Sequence, residues 1–185
     1  MSNKETIQEY SERLDENNTS LDDILTTINN LPEAGSGVGN RNIITVGLSS
    51  DTEFKSFSSS VVPLNAVLNQ QGDKLSLDTT NNAVKIGAGV SKILVSGTIT
   101  QMPTALGLYG GNISKNGFGL AMAVNIGFNY IPATNVFYKT TFPPVLVDVA
   151  EGDLIYLTTY SETDKAVTIK AYNGRSTNIT VEVVE

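Results

Sequence analysis

Residues 119–128 run Gly119-Leu120-Ala121-Met122-Ala123-Val124-Asn125-Ile126-Gly127-Phe128. Large apolar side chains take every second position, with Gly, Ala and Asn between them. A period of two belongs to a strand, whose successive side chains leave opposite faces. The alternation predicts Leu120, Met122, Val124, Ile126 and Phe128 on a core. It leaves the small residues on a second face that a neighbouring subunit can approach closely. The same period recurs on both sides of this stretch, at Leu75 and Leu77, Ile93 and Val95, Val167 and Ile169, and Ile179, Val181 and Val183. Turn-forming pairs separate the runs: Gly72-Asp73, Asn81-Asn82, Gly110-Gly111, Asn116-Gly117, Pro143-Pro144, Gly152-Asp153 and Asn173-Gly174. Strands every ~8–12 residues with no helical pattern between them predict a mainly β chain folded as a sandwich or jelly roll.

Before Arg41 the period changes. Ile7, Tyr10, Leu14, Leu21, Ile24, Ile28 and Leu31 are spaced by threes, fours and one seven, and Asn17 divides the seven into three and four. This is an a/d seam of about three and a half heptads. The positions around it are polar. A helix with so narrow an apolar stripe obtains its burial by self-association. Leu25 widens the seam, and Ile stands at both kinds of core position. Both features predict three strands, hence a homotrimer. Asn17 supplies a polar core layer that fixes register. Leu31-Pro32 ends the helix, because proline disfavours the helical conformation in the residue before it. Glu33–Asn40 is a Gly-rich joint. The expected division is an N-terminal anchor and coiled-coil stalk over 1–33, a linker and leading strand over 34–59, and a head over 60–185.

Composition narrows the chemistry. The chain has neither histidine nor cysteine, which removes the usual general base near neutral pH, the commonest metal ligand and the thiol nucleophile. Its net charge is −7, and residues 1–35 hold eight carboxylates against Lys4 and Arg13. Such a surface repels phosphate backbones, so no nucleic-acid partner is expected. The opening MSNKETIQEY has no apolar signal-like core, and no apolar run reaches the ~20 residues of a membrane span. The expectation is a product made in the host cytoplasm with no membrane partner. Asp148, Glu151 and Asp153 cluster at one turn as oxygen ligands would for Ca²⁺, but Gly152-Asp153 is also an ordinary turn pair. Gly107–Gly117, GLYGGNISKNG, lacks the spacing of a phosphate loop. No nucleophile elbow occurs. The chain is therefore expected to have no catalytic residues, no metal and no cofactor.

The order of segments resembles the C1q/TNF-type jelly roll. Val61-Val62-Pro63-Leu64-Asn65 opens it, followed by Gln70–Thr80 and Ala83–Gly87. Val90–Gly97 is similar to the apolar strand that follows a small-residue turn in that family. Val149–Leu157 resembles its strand with a Gly-Asp entry, and Thr177–Val184 its closing strand. The N-terminal NKETIQEY and SLDDILTTINNLPE look like openings of virion proteins from phages of low-GC Gram-positive and gut bacteria. The layout resembles phage head-fibre and tail-associated proteins. That resemblance implies a homotrimer on the virion, bound to capsid or other virion proteins through its N-terminal segment. The function it implies is a head fibre or capsid decoration that aids adhesion to the host. The alternative is a tail or baseplate receptor-binding protein that recognises host-surface carbohydrate. Tyr109, within 107–117, and Tyr130, within 129–135, are the loop aromatics expected to stack on such glycans, unless they cap the core or the trimer seam.

If Asn17 is a core layer, Asn17→Leu should raise the melting temperature of the stalk and add other oligomers. Circular dichroism melting with light scattering checks this. A variant that melts lower and stays purely trimeric would place Asn17 outside the seam.

Overall fold

The computed structural model describes residues 41–55, 59–117, 120–162, 165–171 and 176–185. The expected stalk, with its core from Ile7 to Leu31, lies outside the described residues. Among those described, thirteen strands follow in chain order. They are β1 (Ile43–Gly47), β2 (Thr52–Phe54), β3 (Ser60–Val61), β4 (Ala66–Gln71), β5 (Leu75–Asp78), β6 (Ala83–Ile86) and β7 (Lys92–Pro103). Then come β8 (Gly107–Lys115), a 3₁₀ turn (Leu120–Met122), β9 (Ala123–Ile131), β10 (Tyr138–Asp148), β11 (Leu154–Ser161), β12 (Val167–Ile169) and β13 (Asn178–Val183).

The strands form two antiparallel sheets. The first has the order β10–β7–β13–β1–β4, with β12 and β2 continuing beside the far end of β7. The second runs β5–β6–β11–β8–β9, with β3 beside β11. Residues of alternating strands meet between the sheets. Ile44, Val46, Ile93, Val95, Ile179 and Val181 from the first face Val84, Ile86, Ile113, Ile155 and Leu157 from the second, and all are fully buried. The runs expected at 75–77, 93–95, 167–169 and 179–183 are all strands. Gln101 of β7 is buried too, and donates from Nε2 to the carbonyl of Gly110 and to Thr159 Oγ1, both at 3.0 Å, so one amide ties the two sheets together.

The boundary expected at residue 60 moves to Arg41, because β1 lies between β13 and β4 in the body of the first sheet. Several turn signals hold. Gly72, Asn82, Asn116 and Gly152 all adopt positive φ, the conformation that Gly and Asn tolerate best. Two do not. Pro143-Pro144 lies inside β10, where the register with β7 shifts between Phe142 and Val145. Proline has no N–H to donate, and a bulge on an edge strand asks for none. Gly110-Gly111 lies inside β8. Across Gly110 the rings of Phe128 and Tyr160 approach edge to face, with centroids 5.2 Å apart. A Cβ on Gly110 would stand 2.7 Å from the Phe128 ring, so the bare residue makes room for the pair.

Gly111→Ala should be strongly destabilising, since its Cβ would lie 2.0 Å from the Thr158 carbonyl oxygen on β11. A loss of about 1–3 kcal/mol is expected from overpacking, read as a lower urea midpoint. An unchanged midpoint would mean that β8 and β11 can separate without cost.

Candidate interaction surface

The alternation at 119–128 predicts the strand but inverts its faces. In the register of β8 and β9, Asn125, Gly127 and Asn129 stand opposite Ile113, Gly111 and Tyr109, whose side chains point into the sandwich. The small and amide residues are therefore the inward ones. Asn125 Nδ2 donates to the Pro143 carbonyl at 2.7 Å, and Asn129 Nδ2 to Thr140 Oγ1 at 2.8 Å. A Cβ on Gly127 would lie 2.5 Å from Thr140 Cγ2. The close approach expected on this face exists, but the neighbour is β10 of the same chain rather than another subunit. These amides close the open side of the sandwich, where the last strand of each sheet meets the other.

The apolar partners in the alternation consequently face outward. Ile126 is 49% exposed and Tyr130 68%, and Met122, just before the strand, is 51% exposed. Six of the ten large apolar residues that are exposed among the described residues lie at 122–146, the others of the six being Val136, Phe137 and Leu146. Charge is almost absent there. From Asn116 to Val147 the sequence contains one charged residue, Lys139. Edge strands that face water are normally guarded by charge. An apolar, nearly uncharged pair of edge strands has the character of an interface core.

The two tyrosines separate. Tyr109 is not in a loop: it lies in β8, is fully buried, and donates its hydroxyl to the Ala105 carbonyl at 2.8 Å. Its place in a Gly-rich segment suggested a loop because the glycines were read as turn residues. Tyr130 is exposed, but on β9 rather than in a loop.

On the outer face of the first sheet lies an open depression of about 260 Å³. Ser96 and Thr98 of β7, Thr141 and Pro143–Pro144 of β10, and Asn178 and Thr180 of β13 surround it. None of these residues is charged. The bulge at Phe142–Val145 shapes one wall. Sequence reasoning missed this feature, because three strands distant in sequence build it.

The acidic turn at 148–153 is organised by other means than a cation. Lys115 Nζ donates to the Asp148 carbonyl at 2.9 Å and lies 3.6 Å from Asp153 Oδ2. Asn116 Nδ2 donates to Asp153 Oδ1 at 2.6 Å, and the Ala150 N–H to Oδ2 at 2.9 Å. Burial raises the pKa of Asp153. The Asn116 amide, the Ala150 N–H and Lys115 lower it by more, so the group titrates below the usual carboxylate range. Asp51 is also lowered, first by its hydrogen bond from Lys170 and then by the Ala171 N–H. Lys170 in turn lies 5.6 Å from the centre of the Phe137 ring.

Solved structures share this arrangement. Murine APRIL, crystallised at pH 5.0, superposes with a TM-score of 0.59 at 11% identity, over 78% of this chain and 100% of that one. Eiger TNF from S. frugiperda gives 0.61 at 8% identity, over 78% and 93%. The fold is a TNF-like jelly roll. At such identities the likeness concerns fold alone. No protein-family model matches the sequence, and no curated protein matches it.

The depressed carboxyl groups of the TNF-like head set an acid limit. A lowered folded pKa contributes stability above the unfolded value, near ~3.9 for Asp, and that contribution disappears as pH falls through the folded value. The melting temperature should therefore fall steeply below about pH 4. Asp153→Ala should lower it at pH 7, by the equivalent of about 1–2 kcal/mol, and flatten the acid slope. Differential scanning calorimetry from pH 7 to pH 2.5 measures both. An equally steep acid slope in the variant would remove Asp153 as a source.

Proposed function

We propose that this chain is a non-catalytic virion structural protein, a homotrimeric fibre whose TNF-like head projects from a bacteriophage particle. The observation that carries the trimer is the apolar, nearly uncharged β9–β10 edge, which a solitary head would leave in water. The seam from Ile7 to Leu31 supports the same stoichiometry from the sequence side. The virion setting is supported by the likeness of the N-terminal segment to openings of phage virion proteins. In this reading that segment binds capsid or another virion protein, and the head aids adhesion to the host surface.

A second reading is a tail or baseplate receptor-binding head for host-surface carbohydrate. Exposed aromatic rings favour it, Tyr130 and Phe137 at 68% and 52% exposure, since ring faces stack on sugars. In that role the rings must stay open to solvent in the assembled particle.

Light scattering should give about three times the 19.7 kDa chain mass. A single-chain mass at micromolar concentration would sink the trimer. Immunogold against the head, on purified particles, should decorate capsid vertices or faces. Labelling confined to the tail tip would favour the receptor-binding reading, and its absence from the particle would refute both.

A further inference from the structure

The apolar edge and the uncharged depression belong to different faces of one head. Ile126 and Tyr130 leave the outer face of the second sheet, whereas Thr98, Thr141 and Asn178 line the depression on the outer face of the first. We infer that the depression is a socket for the Ile126–Tyr130 face of β9 from a second copy of this chain. Each protomer thus gives its edge to one neighbour and its socket to the other. The inference rests on the trimer reading and specifies which surfaces meet.

Chemistry selects the occupant. The lining offers hydroxyls, one amide and proline rings, and no charged group. An anionic ligand would find no cation among those residues, nor a cationic one a carboxylate. A tyrosine matches on both counts, with an apolar body for Pro143 and Pro144 and a phenol hydroxyl that needs a polar partner once buried. Ile126 and Tyr130 are four residues apart on one strand, so they share a face about 13 Å apart at ~3.3 Å per residue. The edge itself carries no charge from Asn116 to Tyr138. Two uncharged surfaces, one protruding and one recessed, can meet without stranding an ion in the contact.

Symmetry completes the argument. A patch that fits a different patch on the next molecule makes a heterologous contact, which either closes into a ring or runs on as a filament. Closure after three copies agrees with the three-stranded seam expected over residues 7–31.

The chain has no cysteine, so an engineered pair reports without background. Thr98→Cys and Tyr130→Cys are placed together in the full-length chain, which is oxidised and run on a non-reducing gel. The expected result is a shift from the one-chain band to the three-chain band, while each single variant stays in the one-chain band. Thr141→Cys with Tyr130→Cys, on the opposite wall of the socket, repeats the test should Thr98→Cys disturb folding. If neither pair cross-links while light scattering shows a trimer, the socket assignment is overturned and the trimer stands. A monomer by light scattering overturns both. Covalent dimers from Tyr130→Cys alone would show edges meeting each other, and a host glycan bound by trimer through Tyr130 would show the ring free. Either result overturns the inference.

Discussion

A strand enclosed on both sides must find a partner for every backbone N–H and C=O, since an unmet buried group costs more than a made bond returns. β7 carries this demand furthest. Its twelve residues pair along one side with β10, from Lys92 to Gln101. The other side is shared, with β13 taking Ile93–Thr98 and β12 taking Gln101–Pro103. Five strands of the first sheet are positioned through this one ladder or its immediate neighbours. Gln101, in the same strand, then fastens the second sheet from within the core. The bulge that shapes the socket and the edge that would fill it are both arranged around β7, directly or through β10.

Local pattern made the enclosed strands legible. Ile93 and Val95, or Ile179 and Val181, alternate with residues that have no reason to be inside, so period and burial agree. β9 shows what alternation cannot decide. A period of two names two faces but not which one is inward. At an edge strand destined for contact, both faces are protein-facing, and the more apolar one was taken for the core. The true inward face is built from Asn125, Gly127 and Asn129, chosen for reach and slenderness rather than for hydrophobicity.

Glycine and proline misled for a related reason. Gly110-Gly111 and Pro143-Pro144 have turn composition, but the structure uses what they lack. Gly110 has no side chain beneath two rings that come from β9 and β11, and the prolines have no donor where the β10 register shifts. Neither ring nor register is visible within a few residues of the pair. Tyr109 was placed in a loop by the same glycines. The socket lay further still from view, being assembled from Ser96–Thr98, Thr141–Pro144 and Asn178–Thr180.

The prolines of β10 also restrict how heads can stick to one another. An outermost strand with a full row of free N–H and C=O groups invites a further strand, and that mode of growth has no natural end. Two adjacent residues without N–H interrupt the row in its middle, and the register shift bends what remains. The apolar edge can then be covered by side chains of a neighbour while main-chain pairing across it is blocked. On a crowded particle, where many copies stand within reach of each other, this makes the contact a matter of shape, saturable and finite, instead of a seed for a growing sheet.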